Sequence, residues 1–261
     1  MNRTGIEWAD RTWNPITGCS SVSEGCTNCY ARRFATRLRG RCGYPSEDPF
    51  RVTFHPDRLD APLKVKNPQR IFTCSMGDIF HPDVEPAWID QILEVMDAAK
   101  QHTFMVLTKR PELAEKKLYE VTVERPIREL GGNDYLPNLW LGVTAENQER
   151  ANERLKYLYR IPAALYFVSC EPLLGEICLR QAWEHAVMQP LPEGTTYWRN
   201  APDWIIAGPE TGPGARECRQ EWVESLYLDA RANNIPFFLK RGTVLGEMPR
   251  EFPDVRPRKK S

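Results

Sequence analysis

A chain of 261 residues with 41% hydrophobic residues suits one large domain and can bury a sizeable core, which excludes a disordered chain. Its 35 basic residues balance 35 acidic ones, so a net charge of zero gives no global pull toward a polyanion. No apolar run reaches the roughly 18–20 residues of a membrane-spanning helix, and "MNRTGIEWADRTW" lacks the apolar stretch of a secretory signal.

The expectation is therefore a soluble, cytoplasmic chain without a membrane partner, whose eight cysteines are reduced, catalytic or metal-bound. In chain order, the first strong feature is "NPITGCSSVSEGCTNCYARR", which spaces Cys19, Cys26 and Cys29 as C-x6-C-x2-C. A disulfide uses two thiols and a closed structural zinc site uses four ligands. Three thiolates in one loop suit three irons of a [4Fe–4S] cluster, with the fourth iron open to a small molecule. Zinc completed by Cys42 or His55 is one alternative, and three unligated thiols are the other. Gly18 and Gly25 each precede a cysteine and allow a tight wrap, and a helix is expected from about Tyr30. Residues 30–42 then carry five arginines and no acid, as a solvated helix face or a phosphate-binding patch.

Downstream, short apolar runs alternate with helical segments. The runs are 70–75, 103–110, 139–146, 165–172, 204–210 and 236–240. They lack polar alternation, as strands buried on both faces of a parallel sheet do. Between them, 86–102 places Ile89, Ile92, Leu93 and Met96 on one helical face, and 145–162 and 219–236 behave alike. Residues 40–69 and 179–202 read as irregular insertions on one single domain spanning 1–261. The runs end in polar groups: Ser75 and Asp78, Thr108 and Lys109, Thr144 and Glu146, Ser169 and Glu171, Gly208 and Glu210, and Lys240. Convergence of strand ends on one face predicts an α/β fold, a complete or partial (β/α) TIM-like barrel with parallel strands.

A three-cysteine loop ahead of such a barrel resembles the radical S-adenosylmethionine (SAM) enzymes. Their usual spacing is C-x3-C-x2-C with an aromatic residue before the last cysteine; here the first gap is six residues, Asn28 precedes Cys29, and Tyr30 follows it. The chain is more similar to a narrower group, a phage-protein family of uncharacterised function with a three-cysteine motif. The shared stretches include "TWNPITGCSSVSEGCTNCYA", "CSMGDIFHPDV", "HTFMVLTKRPE", "LPNLWLGVTAEN", "FVSCEPLLG" and "IIAGPETGPGAR". The resemblance implies a [4Fe–4S] cluster held by Cys19, Cys26 and Cys29, and reductive cleavage of SAM to a 5′-deoxyadenosyl radical. It implies cofactor-binding roles for Ser75, Met76, Gly77, Asp78, Lys109, Glu146, Ser169 and Glu210. Cys74, Cys170 and Glu171 become catalytic candidates, the two thiols as hydrogen-atom donors, although both also read as buried apolar residues. An external electron donor and a nucleic-acid or nucleotide substrate complete the expectation. Two rivals stand beside it: a non-catalytic zinc or Fe–S nucleic-acid-binding module, and a barrel hydrolase using Asp78, Glu171 and Glu210.

Overall fold

The computed structural model describes residues 1–124, 136–191, 197, 201–243 and 249–254. Its strands are β1 (Asn2–Arg3), β2 (Arg11–Trp13), β3 (Ile16–Thr17), β4 (Thr53–Phe54), β5 (Arg70–Thr73), β6 (Thr103–Thr108), β7 (Leu139–Thr144), β8 (Leu165–Cys170), β9 (Trp204–Ala207) and β10 (Phe237–Leu239). Its helices are α1 (Tyr30–Arg37), α2 (Pro86–Ala98), α3 (Pro111–Glu124), α4 (Gln148–Leu158), α5 (Leu179–Val187) and α6 (Gln220–Ala232). Eight strands form one sheet in the order β1-β2-β5-β6-β7-β8-β9-β10, parallel throughout except for β1 against β2. The order never reverses, so the sheet has no switch point of the doubly wound kind. Among the described residues no ladder joins β10 to β1 or β2, so of the expected complete or partial barrel the closed form is not shown.

Strand parity divides the core in two. One face of the sheet contributes Ile71, Phe104, Leu141, Val143, Tyr166, Val168, Ile205 and Phe237 to a core shared with the helices. Helices α2 to α6 each present a periodic apolar stripe to it, such as Ile89, Ile92, Leu93 and Met96 of α2, the four residues expected. The other face carries Phe72, Met105, Trp140, Phe167, Trp204, Ile206 and Phe238, which pack on one another and on Trp8 without any helix. Trp8 lies 4.7 Å from the Phe72 ring of β5 and 6.4 Å from the Trp204 ring of β9. Four steps of about 4.8 Å would hold those strands roughly 19 Å apart in a flat sheet, so the sheet curls around this aromatic layer. Phe252 seals the N-terminal end, 5.3 Å from Trp204 and 4.0 Å below the Arg70 guanidinium.

The expected insertions are more ordered than their composition suggests. Within 40–69, β4 pairs antiparallel with β3 and Phe54 stacks on Trp88 at 5.0 Å, so this segment braces the entry to the cysteine loop. Residues 179–187 are not irregular: α5 buries Leu179, Ala182, Trp183 and Ala186 as the crossover from β8 to β9. Residues 192–196 and 198–200 of the second expected insertion lie outside the described residues. No described helix is long and apolar enough to cross a membrane.

Gly142 of β7 leaves room for the Phe167 ring; a Cβ there would stand 2.5 Å from two of its carbons. Gly142→Ala is expected to displace that ring and cost about 1–3 kcal/mol, read by urea unfolding. Unchanged stability would contradict the described packing of the inner face.

Candidate metal centre at the strand ends

The chain leaves β2 through Asn14-Pro15, and its path is fixed from both sides. Asn14 Oδ1 accepts from the Met76 N–H at 2.9 Å and the Ser75 hydroxyl at 3.2 Å. The Gly18 N–H donates to the Met76 carbonyl at 2.9 Å, and the Cys19 N–H to the Phe50 carbonyl at 3.1 Å. A 3₁₀ turn over Glu24–Cys26 follows, and Cys29 stands at the N-cap of α1. Cys19, Cys26 and Cys29 are all free and partly exposed, unlike core thiols. Cys19 and Cys29 pack beside Met76 against Ala31, Ala35, Tyr44 and Phe50.

Three anchors tie this loop to the strand ends. At the first, Arg110 Nη1 donates to Cys19 Sγ and to Asp78 Oδ2, both at 3.2 Å, and Nη2 donates to the Ser20 carbonyl at 2.8 Å. Asp78 also accepts from the Thr108 hydroxyl at 2.9 Å and the Phe80 N–H at 3.0 Å, so its buried carboxylate is spent on structure. Burial, then the Asp78 charge, pushes the Cys19 thiol up to about 11, while Arg110 pulls the other way. At the second anchor, fully buried Glu146 accepts from the Ser23 hydroxyl at 2.6 Å and from Arg154 Nη1 of α4 at 2.7 Å, with Lys109 Nζ at 3.7 Å. Burial alone would raise this carboxyl; Lys109, Arg154 and Ser23 overcome it and hold Glu146 below the usual range. A Cβ on Gly25 would stand 2.3 Å from Glu146 Oε1, so only glycine lets the loop settle onto that carboxylate. At the third, Glu210 accepts from Arg216 Nε at 2.9 Å and Asn28 Nδ2 at 2.9 Å. The Arg216 hydrogen bonds hold its carboxyl down to about 2 against the opposing effect of burial.

Strand parity continues past the aromatic layer. Thr144 and Ser169 pair across β7 and β8 on the same face as Trp140 and Phe167, and each is 1% exposed. Among the described residues, the Ser169 hydroxyl has no hydrogen-bond partner. Glu171 and Lys240 form an ion pair just beyond β8 and β10. The Tyr30 hydroxyl reaches in to donate to the Ser75 carbonyl, and its burial, then the nearby Glu171 charge, pushes that phenol above its ordinary range.

Cys74 and Cys170 do not face this region. Both lie in the core shared with the helices, 3% and 0% exposed. Parity points Cys170 away from Ser169, and the left-handed backbone of Cys74 (φ 58°) takes it out of strand alternation. Burial raises both thiols, Cys74 to about 12. The expectation that they donate from a shared cavity is therefore corrected to the buried alternative. Asp78, Glu146 and Glu210 come together with the cysteine loop as its anchors, through Arg110, Arg154, Ser23, Arg216 and Asn28. No sequence signal named those partners, although Arg110 adjoins Lys109. A surface hollow of about 530 Å³ between Pro82 and Glu120 touches none of these groups.

Among the described residues, no group of three His, Cys, Asp or Glu side chains is gathered to hold one metal ion. Ligands of one zinc ion stand about 3.8 Å apart, as 2.3 Å bonds in a tetrahedron require. A four-iron cluster instead gives each thiolate its own iron and tolerates wider spacing. His55, the alternative zinc ligand, is buried and hydrogen-bonded through Nε2 to the Thr17 hydroxyl at 2.8 Å. The donor set, three soft thiols, fits iron–sulfur ligation.

The fold and site thus define a class: a curled, mostly parallel α/β sheet with a three-thiol loop clamped over its strand ends. The chain belongs to the family described as protein of unknown function (DUF5131), whose model matches residues 3–255. No curated protein matches it. One solved structure that resembles it, a mutant spore photoproduct lyase, has a TM-score of 0.48 and 12% identity over 80% of this chain and 58% of that one. This chain spans a little over half the length of that structure, and the likeness carries no weight for chemistry.

Glu146→Ala leaves the Arg154 charge, 2% exposed, without its partner; a loss of about 3–5 kcal/mol by urea unfolding is expected, and a loss under about 1 kcal/mol would refute the anchor. For Glu210 the folded value lies below the ordinary 4.5, so its contribution is present above about pH 4.5 and fades as pH falls toward 2. The stability gap between the native chain and Glu210→Gln should close over that window; a gap independent of pH would contradict the pairing.

Proposed function

We propose that this protein is a radical-SAM-like iron–sulfur enzyme, with Cys19, Cys26 and Cys29 as the thiolate ligands of a [4Fe–4S] cluster. One observation carries the reading: three partly exposed soft donors share a loop that separate anchors clamp over the C-terminal ends of parallel strands. When bound, such a cluster supplies the electron that splits the sulfonium bond of SAM. The residues expected to bind SAM divide into two sets. Asp78, Glu146 and Glu210 are positioning residues, because guanidinium groups and the loop already occupy them. Lys109, with its ammonium 3.7 Å from Glu146, can turn a further donor toward the SAM carboxylate. Ser75, Met76 and Gly77, beside Gly18, line the approach to the amino group. The Ser169 hydroxyl is a buried donor awaiting a partner, and Glu171 with Lys240 borders the space for substrate.

The substrate class we propose is a nucleic acid or nucleotide, with an external electron donor, in the cytoplasm, where thiol ligands stay reduced. The hydrolase rival has less support, since Asp78, Glu171 and Glu210 are each held by a cation. Anaerobic reconstitution with iron and sulfide tests the reading. The expected result is a brown protein with about four iron and four sulfide per chain, and dithionite-dependent 5′-deoxyadenosine from SAM. Cys19→Ala, Cys26→Ala and Cys29→Ala should each lose the chromophore while keeping the far-UV circular dichroism spectrum. A colourless protein with stoichiometric zinc would overturn it.

A further inference from the structure

The arginine run beside the cysteine loop is not absorbed by the site. Residues 30–46 hold five arginines and no acid in a chain of zero net charge. Among the described residues, none of these five is ion-paired to a carboxylate, whereas Arg70, Arg110, Arg150, Arg154, Arg216 and Arg231 all are. Three donate to backbone carbonyls: Arg33 to Thr211 and Pro213, Arg39 to Ser46 and Glu47, and Arg41 to Arg37. Ala31 and Ala35 bury the inner side of α1.

The outer side is unusual for a solvated helix. Tyr30 and Phe34, one turn apart, are 43% and 49% exposed. The Arg37 guanidinium lies over the Phe34 ring at 5.6 Å, and Arg41 folds back to the Arg37 carbonyl at 2.8 Å. Arg32 flanks them over Phe50 at 4.9 Å. Half-exposed rings set among cations that no carboxylate neutralises among the described residues offer a stacking platform with phosphate partners. A duplex keeps its base faces stacked and could use only the charges; a single strand can use both. The stripe also leads inward, because Tyr30 exposes its ring while its hydroxyl reaches Ser75 within the site.

We infer that the exposed face of α1, centred on Phe34, Arg37 and Arg41, is a docking surface for single-stranded nucleic acid that feeds the strand toward the cysteine loop. This deepens the proposed substrate class and rests on it, while the binding itself needs no cluster chemistry. Fluorescence anisotropy of labelled mixed-sequence single strands, DNA and RNA, is the test, with the matching duplexes and heparin as competitors. The native chain should bind a single strand in preference to duplex. Phe34→Ala should weaken that binding roughly five- to a hundredfold and leave heparin binding unchanged. The double variant Arg37→Ala/Arg41→Ala should lower the slope of log affinity against log salt by about 1.4. Absence of single-strand binding overturns the inference. So does equal affinity for duplex with no effect of Phe34→Ala, or single-strand affinity untouched by the double variant. Iron content and 5′-deoxyadenosine formation of the same proteins report separately on the cluster reading.

Discussion

A carboxylate with no exposed surface is costly unless cations and hydrogen bonds replace its water, and Glu146 is such a group. Its oxygens meet Arg154 of α4, Lys109 beyond β6 and Ser23 of the cysteine loop, so elements separated by more than 120 residues are held at one point. The strand end of β7 sets where the carboxylate stands, and the loop comes down onto it because Gly25 has no side chain. Glu24 adds to the same junction through Asn147 and Arg150, and Arg216 reaches its carbonyl at 2.9 Å. This junction places the turn that carries Cys26, while Cys29 also packs against the small core of Ala31, Ala35, Tyr44 and Phe50.

The arrangement separates support from chemistry. The aromatic layer around Trp204 and Phe167 curls the sheet, and the helices pack its other face. The curl brings strand ends together, and the charged residues just beyond them fasten the loop. Among the described residues, the groups above the aromatic layer that do not hold the loop directly are the Ser169 hydroxyl, the ammonium of Lys109 on Glu146 and the Glu171–Lys240 pair. Those groups, and the partly exposed thiols, are where a bound cofactor would find partners without dismantling the scaffold.

Much of the sheet was legible in the sequence because buried parallel strands and amphipathic helices leave distinct periods, as in 139–146 and 86–102. The first two strands span two and three residues, too short to show any period. Helix α5 was hidden by the proline-rich residues that follow it. The strand-end acids were visible, but their employment was not. A carboxylate that binds a ligand and one that binds a guanidinium look alike in sequence, and Asn28 lies 182 residues from Glu210. Ser169 and Cys170 could not both face the cavity, since alternation turns neighbours to opposite faces. That argument was available beforehand, whereas the left-handed turn at Cys74 was not.

The central claim is that the clamped loop holds an iron–sulfur cluster with one iron open to SAM. Electron paramagnetic resonance of the reduced, reconstituted protein, recorded before and after adding SAM, tests it most directly. The account predicts a cluster signal whose shape changes when SAM binds the open iron. A cluster signal that SAM leaves unaltered would contradict it.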